Sequence, residues 1–510
     1  MKTSKAQYAG MMENLRANDF KTCLTQIEEA KEKHYKEKEK VLFYLDAGML
    51  YHYCGDYRKS NEYLEKAEFA IEDLYTKSIG KAAASVLLND NALDYFGEDY
   101  EDIYLNIFKA LNYLHLNDPE DAFVEIRRIN NKLNLLEDKY KKIADEYNKS
   151  DDKKRDFKIG DIKFYNSALA RYLSMLLYYT EGKYDDARID LKEIREAIEN
   201  QPTVYNFEVP PLESHIAKSD SIPIYFLSFV GNSPDKKSNT LWVHTEKDML
   251  IIATSKEVSE NSKNPDIKDE AGKLAKETGE FVSSVGNIFK KTDTEEKSSS
   301  SSSSSSSKKS SVSIPHKETE TEVETKNDSQ YEGTLDIIEW EDMEAGYHFK
   351  FDLPYMDLIG TDIAKIAVLI NDQMAVELIP LESMEQVAFI TYKIKEPLIY
   401  LKTITRTVVK GILAESAKQE MVKQTGDNLF GKLAMIATDV GVDATENADL
   451  RISRFFPAKA FVGHFLLPEG IYNIRINYYN SDNKLVYSDL RNKQHITKNG
   501  LQLFESFYLD

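Results

Sequence analysis

Gly55-Asp56-Tyr57 stands between two segments with helical apolar spacing and predicts the turn of a helical hairpin. Related triplets recur at Asn18-Asp19-Phe20, Asn117-Asp118-Pro119 and Gly182-Lys183-Tyr184. A glycine such as Gly55 readily adopts the backbone geometry that ends a helix. The recurrence predicts a stack of helical hairpins over residues 1–201 that leaves one curved face free, and such stacks bind partners more often than they carry out chemistry.

The residues on either side of Gly55 fit a specific hairpin type. The segment before the turn has the spacing of one helix face, with Tyr44, Ala47, Gly48 and Tyr51. The segment after it presents Ser60, Leu64 and Ala67, and we expect Tyr57 to pack back against the hairpin. The small residues Gly48 and Ala67 let two helix backbones approach closely. This is the tetratricopeptide (TPR) pattern, whose unit is about 34 residues.

The other units fit the pattern less closely. The fourth unit has Met175, Tyr178, Gly182, Tyr184, Ala187 and Leu191. Only the interval from residue 18 to residue 55 is close to one repeat, so the array is irregular. Such units cannot bury their apolar faces alone and rely on their neighbours. An irregular helical domain without a binding groove remains the alternative.

Composition limits the classes of protein to which this chain can belong. With 510 residues and 42% hydrophobic residues, two or more globular domains are expected. The formal charge of −20 argues against a nucleic-acid surface and against unaided binding to anionic lipid. The sequence contains no run of 18 apolar residues, so it predicts no transmembrane helix. Residues 1–8 lack the apolar core of a signal peptide.

The two cysteines, Cys23 and Cys54, are interpreted as small packing residues. A disulfide between them remains open, because the sequence does not give the distance between their Cα atoms. They cannot form a metal site by themselves.

After Pro202 the composition changes, and residues 202–255 are interpreted as a linker followed by the first strands of a C-terminal domain. Residues 256–330 form a polar insertion, disordered because its serine run cannot bury enough apolar surface. One amphipathic helix is expected within it, between residues 267 and 289, either docking on a membrane or partner or folded against its own sheet domain. Residues 331–510 are assigned to an α+β domain.

That last domain is predicted in some detail. Strands are expected at residues 334–338, 347–351, 366–370, 374–378 and 460–465. Residues 384–446 are predicted to be helical, broken at Pro397 and again at Gly426-Asp427. A hairpin of residues 471–476 and 484–487 follows, joined through Asn480-Ser481-Asp482-Asn483. The predicted fold is therefore multidomain: TPR-like helical repeats followed by an α+β domain with a disordered serine-rich insertion.

No catalytic constellation occurs in the sequence. It contains no HExxH, CxxC, GxSxG or phosphate-binding glycine loop, and no two histidines form a ligand pair at helical spacing. His464 lies in an alternating strand and is interpreted as a structural side chain. We therefore expect no catalytic residue, no metal site and no cofactor.

One polar segment, residues 89–101, separates two helical units. Its candidate binding residues are Asn89, Asp90, Asn91, Tyr95, Gly97, Glu98, Asp99 and Tyr100. In one interpretation it is a structured loop in which Glu98 or Asp99 caps the helix that runs to Leu116, since such side chains satisfy free backbone N–H groups. In the other it is a polar recognition patch at the mouth of the helical groove.

The same region resembles a known family. Residues 78–92, then Tyr95, residues 97–101 and residues 109–114, look like a family of bacterial TPR-containing outer-membrane lipoproteins with no assigned activity. Residues 171–173, Pro210-Pro211 and residues 466–470 extend the similarity over nearly the whole chain. The serine-rich insertion departs from the family pattern.

The resemblance implies an address in the cell envelope, on the periplasmic side, and a weak association with peptidoglycan assembly. Family members usually carry a lipoprotein signal ending in cysteine; this sequence lacks it, so a lipid tether would come from a signal not present here, or the protein is cytoplasmic. The expected function is a non-catalytic scaffold that binds a protein or peptide partner. The alternatives are an enzyme acting on envelope polymer through Asp90, Glu98 and Asp99, and a cytoplasmic TPR co-chaperone with Arg127 and Arg128 in its groove.

Overall fold

The computed structural model describes most of the chain. It covers residues 6–8, 10–79, 93–148, 164–255, 331–340, 343, 345–346, 348–420, 445–446 and 448–510. The chain divides into two compact units. The first comprises Met1–Ser238, Pro354–Thr403 and Asn447–Asp510, and the second comprises Asn239–Leu353 and Ile404–Glu446. These units cross the domain boundaries expected at residues 201, 255 and 330.

The protein is a mixed α+β protein. Within the described residues the helices are α1 (Met11–Arg16), α2 (Phe20–His34), α3 (Lys40–Tyr53), α4 (Tyr57–Ile79), α5 (Asp99–His115), α6 (Pro119–Asn148), α7 (Ala168–Thr180), α8 (Tyr184–Asn200) and α9 (Met384–Glu420). From α1 to α8, each helix packs against the next one along the chain.

The four predicted turns are confirmed as helix-ending turns. The first residue of each triplet has positive φ: Asn18 (55°), Gly55 (79°), Asn117 (59°) and Gly182 (77°). In each turn the next N–H donates to a carbonyl five residues earlier, in the pairs Asp19–Asn14, Asp56–Tyr51, Asp118–Tyr113 and Lys183–Tyr178. This is the Schellman hydrogen bond, which satisfies a carbonyl that the helix end would leave unpaired.

The close approach predicted between α3 and α4 is also present. A Cβ added at Gly48 would lie 2.6 Å from Cδ2 of Leu64, so any larger residue would force the Leu64 side chain to move. Tyr57 is half-buried, and its ring stacks on the ring of His115 at 4.2 Å. Tyr184 is more exposed and makes an edge contact with Tyr179.

The strands form three sheets in the described residues. The strands are β1 (Ile222–Val230), β2 (Asp235–Glu246), β3 (Met249–Ser255), β4 (Tyr331–Glu339), β5 (His348–Asp357), β6 (Ile363–Ile370), β7 (Gln373–Glu377), β8 (Ile379–Ser383), β9 (Thr445–Glu446), β10 (Lys459–Leu467), β11 (Gly470–Asn480), β12 (Leu485–Ile496) and β13 (Gln502–Tyr508). The inner sheet has the order β13-β1-β10-β8 and the outer sheet β12-β11-β6-β7. The third sheet has the order β4-β3-β2-β5-β9.

The inner and outer sheets pack face to face in the first unit. Alternate side chains of β1, such as Ile224 and Phe226, join a core shared with the outer sheet. The intervening residues Tyr225, Leu227 and Phe229 join the core of the helices. Successive side chains of a strand point to opposite faces of its sheet, so a strand that is buried on both faces contributes alternate side chains to two cores. The inner sheet therefore lies between the helices and the outer sheet.

The expectation that the helices leave one curved face free is wrong for α3, α5 and α7. The Tyr53 hydroxyl donates to the Phe455 carbonyl at 2.6 Å, and the Phe108 ring lies 5.3 Å from the Phe229 ring. The Leu169 N–H of α7 donates to the Glu382 carboxylate of β8 at 2.9 Å. Nearly all side chains of α3 are buried, and a helix that is apolar all round needs cover on both sides.

The predicted hairpin and most predicted strands are confirmed, with corrections nearby. β11 pairs antiparallel with β12, and Tyr479 lies opposite Leu485. The predicted break at Pro397 is wrong, because α9 runs through it. The cost of an internal proline, about 3 kcal/mol, is offset by the burial of neighbours such as Leu398 and Tyr400. Strands β8, β9 and β13 were not predicted. β9 also corrects the predicted helical stretch of residues 384–446, because Thr445–Glu446 pair with β5 as a strand.

Other predictions fall outside the described residues. These are the disordered insertion at 256–330, its amphipathic helix, the break at Gly426-Asp427 and the helix that follows it. Cys23 and Cys54 are both free, and Cys23 is buried as expected.

We expect Gly55→Val to lower the free energy of unfolding by about 2 kcal/mol, because a branched side chain disfavours the left-handed backbone at this turn. Gly55→Asn is the matched control, since asparagine already occupies the same position of the turns at residues 18 and 117. Urea unfolding of both variants measures the difference. Equal losses of unfolding free energy in the two variants would contradict the view that the left-handed backbone at Gly55 causes the effect.

Candidate functional site

The described members of the predicted binding segment lie at the start of α5. Tyr95, Glu98, Asp99 and Tyr100 are all buried, with at most 5% exposure. Gly97 has φ of +79°, and a Cβ added there would lie 3.1 Å from Ile71. Asn89, Asp90 and Asn91 lie outside the described residues. The described part is therefore a buried junction rather than an exposed polar patch.

Glu98 occupies the N-cap position of α5, as one interpretation of the sequence predicted, but its side chain makes no N-cap hydrogen bond. Its backbone N–H donates to Glu101 Oε2 at 2.8 Å. Its carboxylate pairs with two lysines, Lys236 at the start of β2 and Lys395 of α9, the latter at 2.5 Å. Lys236, Lys395 and Glu98 all belong to the first unit, and the two cations hold α5 to the parts of β2 and α9 that lie in that unit.

Asp99 makes a second set of buried contacts, to α6. Its carboxylate pairs with Lys139 Nζ at 2.5 Å and accepts a hydrogen bond from the Tyr140 hydroxyl. Burial alone would raise the pKa of Asp99, but the charges of Lys139 and Lys395 hold it below its usual value. Asp99 is therefore ionised and fully engaged at neutral pH.

Glu101 behaves differently although it lies only two residues further along α5. Its carboxylate accepts hydrogen bonds from the Tyr95 hydroxyl (2.7 Å) and from the Ser453 N–H (2.7 Å). Burial, and then the nearby charge of Glu98, raise the pKa of Glu101 to about 7. It is the carboxyl group of the junction that changes charge near neutrality.

We call these residues the α5 junction: Tyr95, Glu98, Asp99, Glu101, Lys139, Lys236 and Lys395. The carboxylates of Glu98 and Asp99 are enclosed and ion-paired, so neither is available to act on a polymer chain in solvent. Sequence reasoning missed all three lysines. For Lys395 alone the sequence indicated burial weakly, because the apolar residues Ile394 and Leu398 lie close to it in the chain.

A second buried network joins α4, α5 and α6. Lys109 pairs with Glu68 (2.8 Å) and Glu125 (3.1 Å), and Lys132 pairs with Glu68 at 2.9 Å. Burial opposes ionisation of Glu68, but Lys132 and Lys109 hold its pKa at about 2. Arg128 joins the same carboxylates.

The structure also shows the contacts of the two arginines that were considered for a co-chaperone groove. Arg128 pairs with Glu68 and Glu125, and the Arg127 guanidinium lies 6.0 Å from the centre of the Phe123 ring. Both contacts are made within the helical layer.

Two further properties concern only the described ranges. No group of three or more His, Cys, Asp or Glu side chains there is arranged to hold a metal ion. No helix there is long and apolar enough to cross a membrane.

His464, on β10 opposite Tyr225, has its ring 4.2 Å from that of His215.

We expect Lys109→Met to lower the free energy of unfolding by about 3 kcal/mol, because it removes the fully buried cation from Glu68 and Glu125, although Arg128 still pairs with both carboxylates. Lys66→Met is the matched control. Lys66 pairs with Glu62 on the exposed side of α4, and such pairs contribute at most about 1 kcal/mol. Chemical denaturation of both variants makes the comparison, and similar losses would contradict the assignment.

We expect Glu101→Gln to flatten the pH dependence of stability. The pKa of Glu101 is about 7 in the folded protein, against about 4.3 in the unfolded chain. As pH rises, the folded state therefore keeps this proton up to a higher pH than the unfolded state does. Stability from this group is therefore full below about pH 4.3 and is lost as pH rises through about 7. Unfolding free energies at about pH 5 and about pH 8 should differ less in the variant than in the wild type, by up to about 3 kcal/mol. Glu199→Gln, on the exposed side of α8, should leave the wild-type profile unchanged.

Comparisons of this chain with protein-family models, with characterised proteins and with solved structures gave no match.

Proposed function

We propose that this protein is a non-catalytic scaffold of the bacterial cell envelope that binds protein partners through TPR-like helical repeats. The observation that carries the proposal is the set of four helix-ending turns with the same hydrogen bond and the same positive φ. A unit repeated in this way builds an extended helical surface, which repeat proteins use to bind other proteins. The envelope address, a lipid tether and a role in peptidoglycan assembly rest on the family resemblance alone.

The inner side of the helices is not the surface we propose for binding. α3, α5 and α7 are covered by the inner sheet, so a partner would meet α4, α6 and α8 instead. These helices keep large apolar side chains in solvent, including Leu135 of α6 (60% exposed) and Ile189 of α8 (59% exposed). A partner that covered these side chains would remove apolar surface from water, which favours association.

Burial of charge supports a scaffold rather than a catalytic role. The side chains of Glu98 and Asp99 in the α5 junction, and that of Lys109, are at most 5% exposed. Paired, enclosed charges fix the relative positions of helices, because separating them leaves an uncompensated buried charge. Such an arrangement keeps a binding surface in one shape.

A photo-reactive amino acid placed at Leu135 or Ile189 of the full chain should form crosslinks to the same envelope protein in cells. The control position is Ile471, which is exposed to a similar extent on the outer sheet. With the photo-reactive residue at Ile189, we expect Leu135→Asp to remove the crosslinked product, and with it at Leu135 we expect Ile189→Asp to do the same. Neither aspartate should change the unfolding midpoint, since both side chains lie on the surface.

Two outcomes would contradict the proposal. One is crosslinking from Ile471 that equals crosslinking from the helices. The other is crosslinking that persists unchanged in both aspartate variants.

A further inference from the structure

An exposed stripe of side chains runs along the side of α6 that adjoins α4. Val124 is 41% exposed and Leu135 is 60% exposed. The two residues are about three helical turns apart, so their side chains point in nearly the same direction from α6. Asp121 and Arg128 lie on the same stripe, one turn before and one turn after Val124, and Arg128 reaches Glu68 of α4. The stripe therefore borders the cleft between the two helices.

Helix α4 presents a matching stripe from the other side of this cleft. Phe69 is 56% exposed, and the exposed residues Glu65 and Glu72 lie one turn before and one turn after it. Both glutamates are also within one turn of Glu68, which pairs with Lys132 of α6 at 2.9 Å. This face of α4 therefore borders α6, and the two stripes form the walls of a groove.

We call this surface the α4–α6 groove, and its walls consist of three acidic and three apolar residues: Glu65, Phe69, Glu72, Asp121, Val124 and Leu135. Tyr113 of α5, the helix between α4 and α6 in the chain, is half-buried. Burial, and then the charges of Glu125, Asp121 and Glu65, raise the pKa of Tyr113. Carboxylates from both walls therefore lie close to the same residue of α5.

The groove walls carry an excess of negative charge. Beneath the walls, three cations pair with three carboxylates, so their formal charges balance: Lys109, Arg128 and Lys132 with Glu68, Glu125 and Asp102. The carboxylates of Glu65, Glu72 and Asp121 lie outside this network. They add negative charge that the network does not neutralise.

The neighbouring basic residues are directed to other groups. Lys66 pairs with Glu62 at 2.6 Å and lies over the Tyr63 ring, on the side of α4 opposite Glu68. The Arg127 guanidinium lies 6.0 Å from the centre of the Phe123 ring. The walls of the groove are therefore negative and attract a cationic partner.

We propose that the α4–α6 groove binds a positively charged amphipathic helix of a partner protein. The apolar face of that helix covers the three apolar residues of the groove, which removes their surface from water. Its lysines or arginines pair with the three carboxylates that flank them. The stripe from Val124 to Leu135 is about 16 Å long, which accommodates about three turns of helix. An amphipathic helix that lays its apolar face into a groove is an established mode of recognition.

The inference deepens the proposed function. It rests on the premise that α4 and α6 meet a partner, and it adds the chemistry of the segment that they bind. The apolar contacts of the groove recur at whole helical turns, which is the spacing that an amphipathic helix offers along its own apolar face. A strand would instead present its apolar residues with a period of two.

Fluorescence anisotropy of labelled peptides, titrated with the full chain at low salt, tests the groove. The probe is a peptide of about 15 residues in which leucines recur at helical spacing and lysines fill the other positions. We expect this peptide to bind. The same peptide with glutamate in place of every lysine should not bind, and a peptide with strictly alternating leucine and lysine should bind more weakly.

Variants of the acidic wall separate a specific site from general attraction to an acidic protein. Glu65→Gln combined with Glu72→Gln should weaken binding of the helical lysine peptide about fivefold, as expected for the loss of two exposed ion pairs. Glu29→Gln combined with Glu32→Gln is the matched control. It removes two exposed carboxylates that lie one turn apart on α2, changes the net charge equally, and should leave the affinity unchanged.

Variants of the apolar wall test the second half of the proposal. Phe69→Ser should weaken binding about fivefold or more, because a central apolar anchor is lost. Ile471→Ser is the matched control, since Ile471 is 58% exposed on the outer sheet, and it should bind as the wild type does. All these side chains lie on the surface, so the unfolding midpoints should stay the same.

Four results would overturn the inference: equal binding of the lysine and glutamate peptides, equal binding of the helical and alternating peptides, equal losses in the two double variants, or unchanged binding in Phe69→Ser. If Leu135 crosslinks an envelope protein in cells but the lysine peptide does not bind, this inference fails and the proposed function stands. If the peptide binds as expected but no crosslinked product forms in cells, the proposed function fails and the groove remains a site for a cationic helix.

Discussion

The first unit depends on covering helices α3, α5 and α7 from both sides. In α3, twelve of fourteen residues are buried, including the polar Asp46 and His52. A helix with apolar residues around most of its circumference has no face to give to water. The helices α4, α6 and α8 provide cover on one side and the inner sheet provides it on the other. Polar groups within this layer then need partners inside the protein, which explains why so many ion pairs and hydrogen bonds are enclosed.

Local features of the fold were predictable from the sequence because their physical causes are local. A glycine or asparagine at positive φ ends a helix by itself, and all four turns identified from the sequence do so. The β11–β12 hairpin follows from alternation on either side of a polar turn. The close contact at Gly48 follows from the absence of a side chain. None of these requires knowledge of residues elsewhere in the chain.

The candidate site was predictable only in position. The segment at residues 89–101 stands out in the sequence as a polar stretch between two helical units, and the structure places its described part at a junction of α5 with three other elements. Its partners Lys236 and Lys395 lie far along the chain, and a lysine in the sequence does not indicate which carboxylate it will meet. The same limit explains the missed strand β13, whose place is set by parallel pairing with β1. It also explains Pro397, where packing outweighs a local preference.

The pairing of β1 with β13 has a consequence for biosynthesis. Ser228 and Ser506 share a hydrogen bond across a separation of 278 residues. During translation, the apolar strand Ile222–Val230 leaves the ribosome long before its neighbours β10 and β13 exist. An uncovered apolar strand of this kind is prone to aggregate. The nascent chain should therefore depend on chaperones that shield it until synthesis passes residue 508.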